Sequence, residues 1–375
     1  MAFLLTDLKD KYIALRGFHT NRRLIVIESD DWGSIRMPSR DVFAKLQRMG
    51  DHPERDGFLS NDSLESEYDL DELYQVLTSV HDKNGRSAVI TANFAVANPD
   101  FDKIDIESGR YQYESILDTY KRYYPENDVF GYVKKGIAQG IFFPQLHCRE
   151  HLNVNRWMKD LKNRKKDTLI AFENKMIGIN ASFSEDNVYG YMDAFNTVWS
   201  SDEELAKIVA DAAEMFNDLF GFKSETFVAS CFVWNSKLET ELAGLGIKGI
   251  QSSPWQYEPV GTNGEYNLKR RIHFTGECNS NDQIYTVRNC GYEPAYHQNP
   301  DECSRECIRE IEKSFQQKKP AIITSHRFNF IHEIQRENAE SNLEGLRNIL
   351  LTVKERYPDV EFVTTPELVK IMERN

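Results

Sequence analysis

Features that the sequence lacks narrow the classes of protein to which it can belong. Acidic residues outnumber basic ones by 59 to 46, which gives a formal net charge of −13. A general nucleic-acid binder needs clustered Lys and Arg to neutralise phosphates, and the basic run at 162–166 is interpreted as a solvated helix face or turn. No apolar run approaches the roughly 18 residues that span a membrane. We therefore expect neither nucleic acid nor a membrane as a partner.

Signals for secretion and for disulfide bonding are scarce as well. The apolar run near the N-terminus covers only residues 2–5 before Asp7, whereas a secretory signal needs about 7–15 apolar residues. The six cysteines show no framework spacing, and Cys303 and Cys307 lack the paired partners of a zinc ribbon. These observations predict free thiols and a cytoplasmic protein.

What the sequence does contain is a regular alternation of short apolar runs and amphipathic segments. Apolar residues recur at helical spacing in segments such as 205–216 and 343–353, and Pro366 marks the first turn of a last helix. Continuous apolar runs suit strands that are buried on both faces. Eight such strands are predicted, at residues 24–27, 88–94, 140–146, 225–230, 247–251, 284–288, 321–325 and 361–364.

This alternation predicts an α/β fold, and the strand count favours an irregular (β/α) barrel of seven or eight strands. An open doubly wound sheet is the alternative, although no Gly-x-Gly-x-x-Gly follows a strand, so dinucleotide binding has little support. Two turn-rich regions, 50–75 and 254–283, are predicted to be long loops over the barrel rim. Because one barrel commonly reaches about 250 residues, the chain is predicted to be a single domain, 1–375, with these two insertions.

Ionisable side chains follow three of the predicted strands, at the end where α/β barrels bind ligands. Asp30 and Asp31 come directly after the first strand. Because neighbouring residues at a strand end point to different sides, one carboxylate can ligate a metal while the other stays free as a base. The alternative is a helix N-cap followed by an acid of the first turn.

The other two strand ends carry histidines. His147 and His151 are four residues apart, so that on a helical turn both rings would reach one cation. His326 follows the strand at 321–325, where a histidine titrates near neutrality and can donate a proton. The alternatives are two unrelated histidines in the first case and a structural, hydrogen-bonded histidine in the second.

The order of these residues resembles the NodB-type polysaccharide deacetylases, also called carbohydrate esterase family 4. The family's Thr-Phe-Asp-Asp-Gly motif is matched by residues 28–33 (ESDDWG), and its His-Ser/Thr-x-x-His motif by residues 147–151. Its Leu-x-His motif is approximated by residues 324–326, and its last strand and helix by residues 360–368. The resemblance covers roughly residues 20–370.

The resemblance implies a role for each of these residues. Asp30 would be the general base and His326 the general acid, while Asp31, His147 and His151 would hold one divalent metal ion. A cation with three protein ligands keeps positions open for water and for a substrate carbonyl. The Asp/His/His set suits Zn²⁺ best, and Co²⁺, Ni²⁺ or Mn²⁺ would also bind.

Several other residues are candidates for contact with the substrate. The amide of Phe232 could complete an oxyanion site. Trp32, Trp234 and Trp255 could supply apolar walls for a sugar ring, with core packing as the alternative. Arg288 is also a candidate substrate-binding residue.

One departure from the family concerns the arginine that orients the base in its third motif. The aligned residues 229–232 (ASCF) contain no arginine. Arg36, Arg149 or Arg288 could replace it, and the sequence leaves the choice open.

Together these residues predict a metal-dependent hydrolase that removes an acyl group, acetyl in the first place, from a carbohydrate amide or ester. One alternative is a metal-dependent hydrolase of a non-carbohydrate C–N bond. Another is a family member that binds metal or glycan without turnover, because the third-motif arginine is missing. A small saccharide or glycan is the expected partner, whereas the oligomeric state is not predicted.

Overall fold

The computed structural model describes residues 16–179, 190–260, 267–297 and 299–374. Each of the eight predicted strands is present in them, together with short strands that the sequence pattern did not predict. In chain order the strands are β1 Leu24–Trp32, β2 Ile90–Ala95, β3 Ala97–Pro99, β4 Tyr113–Ser115, β5 Phe142–Cys148, β6 Thr226–Val228, β7 Gly249–Ser252, β8 Trp255–Pro259, β9 Leu268–Ile272, β10 Ile284–Val287, β11 Cys290–Gly291, β12 Ala321–His326 and β13 Glu361–Phe362.

One parallel sheet forms the centre of the molecule and curls into a barrel. Its strands hydrogen-bond in the order β10-β7-β6-β5-β2-β1-β12-β11, and β13 pairs with the start of β1. The two end strands, β10 and β11, are separated by only residues 288–289. The Arg288 amide donates to Ser252 of β7 (2.9 Å), and the next amide, that of Asn289, donates to Ile322 of β12 (3.1 Å). Consecutive residues thus join both edges of the sheet, which confirms the predicted irregular (β/α) barrel.

Helices cover the outside of this barrel and begin at recognisable caps. Ser66, Ser201 and Thr364 each form a capping box with an acid three residues later. Pro366 lies in the first turn of the last helix, as predicted. No helix within the described ranges is both long and apolar enough to cross a membrane. The helices are α1 Arg40–Met49, α2 Glu67–Thr78, α3 Ile116–Tyr123, α4 Val129–Ala138, α5 Val154–Lys162, α6 Lys166–Glu173, α7 Asp202–Phe220, α8 Ser236–Gly244, α9 Pro300–Gln316, α10 Arg336–Arg356 and α11 Thr365–Glu373.

Strand β1 changes character along its length without leaving the interior. Its first four residues, 24–27, are apolar and form part of the core, and the following 28–31 (ESDD) are polar yet equally buried. Burial of charged groups is costly unless each is paired. The carboxyl end of β1 is therefore a place where the fold must supply partners for several carboxylates.

The two predicted rim insertions contain more structure than the long loops that the sequence indicated. Region 254–283 contains the antiparallel hairpin of β8 and β9, while its Gly261 and Gly264 lie outside the described residues. Region 50–75 contains a 3₁₀ turn at Pro53–Arg55 and the start of α2, with residues 59–65 buried between them. Asp62 and Glu65 of that region face inward to a buried arginine, so the acidity of the region did not indicate exposure to solvent.

Candidate metal centre and its acid–base pair

Three metal-ligand side chains from β1 and β5 converge at the carboxyl ends of these strands. The ligand atoms of Asp31, His147 and His151 all lie within 4.8 Å of one another, and all three residues are buried. The Nε2 atoms of His147 and His151 are each 3.3 Å from Asp31 Oδ1. One carboxylate and two imidazoles in this arrangement fit a divalent cation such as Zn²⁺.

Asp31 reaches this position through an unusual backbone conformation. Its φ is +73°, and the register between β1 and β2 shifts between Ser29 and Trp32. A positive φ in a residue with a Cβ costs roughly 1–3 kcal/mol and tends to occur at functional sites. Burial opposes ionisation of Asp31, but neighbouring groups, the Arg36 guanidinium first among them, outweigh it and hold the pKa of the carboxyl well below its usual range. Arg36 Nη2 donates to Asp31 Oδ2 at 2.7 Å, so that Oδ1 remains directed at the histidines.

The two histidines do not lie on one helical turn, so that part of the sequence interpretation was wrong. His147 belongs to β5, and His151 follows in the turn after it, with a ring-centroid distance of 4.8 Å. His147 Nδ1 lies 2.9 Å from the Val228 carbonyl oxygen. Because a carbonyl can only accept, Nδ1 donates its proton there, and Nε2 is the ring atom on the Asp31 side that a cation would bind. Burial lowers the pKa of His151 to about 3, which keeps this ring neutral, as a metal ligand must be.

Asp30, the neighbour of Asp31, faces Arg288 instead of the histidines. Arg288 donates to both oxygens of Asp30, at 2.6 and 2.7 Å, and its Nε donates to Glu28 at 2.7 Å. Asn93 also donates to Asp30, at 2.7 Å. Burial raises the pKa of Asp30, but Arg288 outweighs it, and the net effect is a pKa below the ordinary range. Asp30 therefore stays ionised at neutral pH.

These contacts answer a question that the sequence left open and correct one expectation. Of the three arginines, Arg288 is the one that orients Asp30, whereas Arg36 holds Asp31 and Arg149 pairs with Glu150. The expectation that Arg288 binds substrate is contradicted, because the side chain is buried and its donors are engaged by carboxylates of the chain itself. Arg288 comes into place because it lies at the closure of the barrel.

His326 lies at the end of β12 and faces both Asp30 and Glu293. Its Nε2 is 4.0 Å from Asp30 Oδ2, and its Nδ1 is 2.6 Å from Glu293 Oε1. Burial alone lowers the pKa of His326, but the charge and hydrogen bond of Glu293 outweigh this effect and raise the pKa to about 9. The imidazole is thus protonated at neutral pH. Sequence reasoning missed Glu293, because no spacing rule connects it with a histidine 33 residues later.

Two of the three predicted tryptophan walls, Trp32 and Trp234, lie in the core. Trp32 is fully buried, donates to Ser29 at 3.1 Å and packs edge-on against Phe142. Trp234 is also buried and donates to Glu239 at 2.8 Å. Both are core residues, as the alternative interpretation held. Trp255 is half-buried on the β8 strand of the hairpin.

Phe232 does not offer a free amide. Its N–H donates to the Ala229 carbonyl at 3.0 Å, which contradicts the expected role in an oxyanion site. Phe232 and Cys231 both have a φ of +56°, so that the turn after β6 is strained. The ring of Phe232 lies 5.4 Å from the guanidinium carbon of Arg288 and thereby covers the arginine that orients Asp30.

Aromatic side chains that sequence reasoning did not single out surround His326. Phe58 and Phe328 each contact the imidazole, with ring centroids at 5.5 and 5.6 Å, and both also contact Tyr296 edge-on at 5.1 Å. Tyr296 is 46% exposed, whereas Phe328 beside it is buried. A Cβ at position 57 would overlap the Tyr296 ring, so Gly57 provides space for it. An exposed aromatic surface therefore stands next to His326.

No family model matches the sequence, and no curated protein matches it significantly. In fold, the chain is similar to a "probable polysaccharide deacetylase" from Pseudomonas aeruginosa PAO1, at 7% identity over 95% of this chain and 92% of that one, with a TM-score of 0.48. PuuE allantoinase is 8% identical over 96% and 95% of the two chains, with a TM-score of 0.45.

A pseudoenzyme of carbohydrate esterase family 4 from Bacillus anthracis is 9% identical over 94% of this chain and 66% of that one, with a TM-score of 0.38. Likenesses at these scores assign the chain no activity. Polysaccharide deacetylases and a member of carbohydrate esterase family 4 are among the solved structures to which this chain is similar in fold.

Proposed function

We propose that this protein is a hydrolase that removes an acyl group, acetyl in the first place, from an amide or ester of a carbohydrate. The observation that carries the proposal is the opposite charge of two neighbouring groups. Asp30 is held ionised by Arg288, and His326, 4.0 Å away, is held protonated by Glu293, with a pKa of about 9. Environments that separate two pKa values in this way are how one site provides a base and an acid together.

Each of these two groups has one proton transfer to perform. Asp30 accepts a proton as water attacks the acyl carbon, and His326 gives its Nε2 proton to the nitrogen or oxygen that leaves. The bond between the acyl carbon and that atom breaks, and the products are a carboxylic acid and an amine or alcohol. A divalent cation held by Asp31, His147 and His151 would polarise the substrate carbonyl and lower the pKa of water.

The preference for a carbohydrate is supported by the exposed ring of Tyr296. A pyranose has an apolar face of C–H groups, and aromatic rings offer a surface for such a face. Phe58 and Phe328 pack edge-on against Tyr296 and also contact His326, so a sugar on this ring would lie beside the acid. The metal-dependent hydrolysis of a non-carbohydrate C–N bond is the second candidate, since the same acid–base pair serves any amide.

The test is acetate release by the Zn²⁺-loaded protein from N-acetylated and O-acetylated sugars. We expect turnover by the intact chain, a loss of about 10²–10⁴-fold in Asp30→Asn, and full metal content in that variant. Glu239→Gln is the matched control, because it changes a buried carboxylate that is bonded to Trp234 and Tyr285 instead of Arg288; we expect it to keep the turnover.

The outcomes separate the candidate functions. Release of ammonia or amine from a non-sugar amide, with no turnover of acetylated sugars, would support the second candidate. Binding of metal or glycan without turnover of any substrate would overturn the hydrolase proposal and leave a non-catalytic binding protein.

A further inference from the structure

Behind the metal centre lies a closed set of buried charges, here called the charge ring. Its members are at most 6% exposed and alternate in sign. Arg36 bridges Asp31 and Asp62, through Nη2 to Asp31 Oδ2 at 2.7 Å and through an Nε–Oδ2 ion pair with Asp62 at 3.0 Å. Arg327 binds the other oxygen of Asp62, at 2.6 Å, and donates to Glu65 at 2.6 Å. The ring consists of Asp31, Arg36, Asp62, Arg327 and Glu65.

Glu65 closes the ring back onto β1. Its Oε1 accepts the amide of Gly33 at 2.9 Å, two residues after Asp31, and also a short hydrogen bond from Tyr120. Two contacts therefore hold Asp31 in place: Arg36 binds its carboxylate, and Glu65 binds the backbone of the turn that follows it.

Three separate parts of the chain meet in the charge ring. Asp62 and Glu65 belong to region 50–75, the acidic insertion. Arg327 comes directly after His326 at the end of β12. The ring thus connects the segment of a proposed metal ligand with that of the proposed acid, and the insertion supplies the carboxylates in between.

The ring has three carboxyl and two guanidinium groups. Burial and the nearby Asp31 raise the pKa of Asp62 in spite of its two arginines, because unpaired buried negative charge is strongly unfavourable. A divalent ion beside Asp31 would offset negative charge at this place. Within the ring, Asp62 is shared by both arginines, with Oδ2 for Arg36 and Oδ1 for Arg327. If Asp62 lost its charge, Asp31 would be the remaining carboxylate partner of Arg36 in the ring. The Arg36 guanidinium would then compete with the cation for Asp31.

We propose that Asp62 is a positioning residue for the metal centre: it holds Arg36 on the Oδ2 side of Asp31, so that Oδ1 stays free for the ion. This inference rests on the metal site of the proposed function and goes beyond it, because it assigns a task to the acidic insertion. Residues that orient metal ligands in this way typically contribute 10–100-fold to metal affinity. A purely structural Asp62 would affect unfolding and leave the affinity of the folded protein unchanged.

The test is titration of the metal-free protein with Co²⁺, followed by its visible absorbance, which reports coordination independently of activity. We expect Asp62→Asn to bind Co²⁺ about 10–100-fold more weakly than the wild type. Glu239→Gln is the matched control, since Glu239 is also a buried carboxylate, bonded to Trp234 and Tyr285 and outside the ring; its Co²⁺ affinity should equal that of the wild type.

A second variant covers the case in which Asp62→Asn does not fold. Arg36→Lys keeps the positive charge but loses the rigid planar fork of five donors that meets both carboxylates, and we expect at least a roughly 10-fold loss of Co²⁺ affinity, as for other orienting groups. Wild-type affinity in a folded Asp62→Asn, or in Arg36→Lys, would overturn the inference while leaving the proposed function intact. Failure of the wild type itself to bind Co²⁺ would overturn both.

Discussion

Arg288 binds both oxygens of Asp30, at 2.6 and 2.7 Å, although the two residues are 258 positions apart in the sequence. The family that the motifs resemble places its orienting arginine in the third motif, where this chain has none. The barrel closure at residues 288–289 brings an arginine to Asp30 from another strand end. The missing motif therefore does not by itself indicate an inactive protein.

Replacement of Arg288 by lysine should impair the base. A lysine ammonium is a point charge and cannot bind two carboxylates as a planar guanidinium does. We expect kcat to fall about 10- to 100-fold, within the contribution of a positioned acid–base group. The acid limb of the pH profile should also move to higher pH, because Arg288 keeps the pKa of Asp30 below its ordinary range.

Arg149→Lys is the control for this substitution. Arg149 pairs with Glu150 and Asp211 instead of Asp30. Measurement of kcat against pH for both variants is sufficient. Equal profiles for Arg288→Lys and the wild type would contradict the role given to Arg288.

Replacement of Glu293 by glutamine should shift the alkaline limb of the pH profile. Glu293 is the principal group that raises the pKa of His326 from 6.5 to about 9, so the acid is protonated, and active, below that pH. Without the charge, the limb should move towards the ordinary histidine value of about 6.5. Glu302→Gln, in the first turn of α9, is the control and should leave the limb in place.

The same pKa has a consequence for stability. Because the pKa of His326 is higher in the folded protein, the stabilisation from its pairing with Glu293 is complete below about pH 6.5 and is lost as the pH rises through about 9. The free energy of unfolding, measured with denaturant at about pH 6 and about pH 10 on either side of this window, should therefore differ less between the two pH values in Glu293→Gln than in the wild type. If instead the alkaline limb of the activity profile were unchanged in Glu293→Gln, Glu293 would not control the pKa of His326.

Replacement of Tyr296 by alanine should weaken substrate binding more than turnover. The exposed ring stands beside His326 without touching the acid–base atoms, and stacking on it affects binding of a sugar in the ground state and the transition state alike. We expect KM to rise about 10-fold, the order of one aromatic contact, with kcat within about twofold. Tyr296→Phe keeps the ring and should behave as the wild type.

Tyr68→Ala is the matched control, because Tyr68 is 44% exposed on α2, next to His332 and away from the acid–base pair. A lower kcat with unchanged KM in Tyr296→Ala would contradict the binding role of this ring.

Replacement of Trp32 by alanine should destabilise the fold. Trp32 is fully buried against Phe94 and Phe142, and removal of a buried tryptophan typically costs about 3–5 kcal/mol. Trp255→Ala, on the half-buried hairpin strand, should cost less than half of that. Denaturant unfolding of both variants checks this, and a loss of less than about 1 kcal/mol in Trp32→Ala would contradict its place in the core.

The sequence was sufficient for the barrel and for the grouping of the ligand set, since both depend on local patterns. Continuous apolar runs predict buried parallel strands, and polar residues at their carboxyl ends meet at one side of a barrel whatever the exact topology. This is why strand-end positions and motif order were enough to group Asp31, His147 and His151. Their local conformation was not predicted correctly, because a four-residue spacing fits a helical turn and a strand followed by a turn equally well.

The partners of the acid and the base could not be predicted from the sequence. Arg288 and Glu293 reach Asp30 and His326 through the closure of the barrel and the pairing of β11 with β12, which no local pattern specifies. The solvent exposure of individual aromatic side chains could not be predicted either. Trp32 lies in the core whereas Tyr296 lies at the surface, and no sequence pattern around them indicated the difference.

The most direct test of the account is the metal content of the purified protein after loading with Zn²⁺ and removal of unbound ions. We predict about one Zn²⁺ per chain, as in a three-ligand site, with two imidazole ligands in its X-ray absorption spectrum and almost none bound in a folded His147→Ala/His151→Ala variant. A wild-type protein that retains no metal, or a double variant that retains the full amount, would contradict the claim that Asp31, His147 and His151 hold one ion.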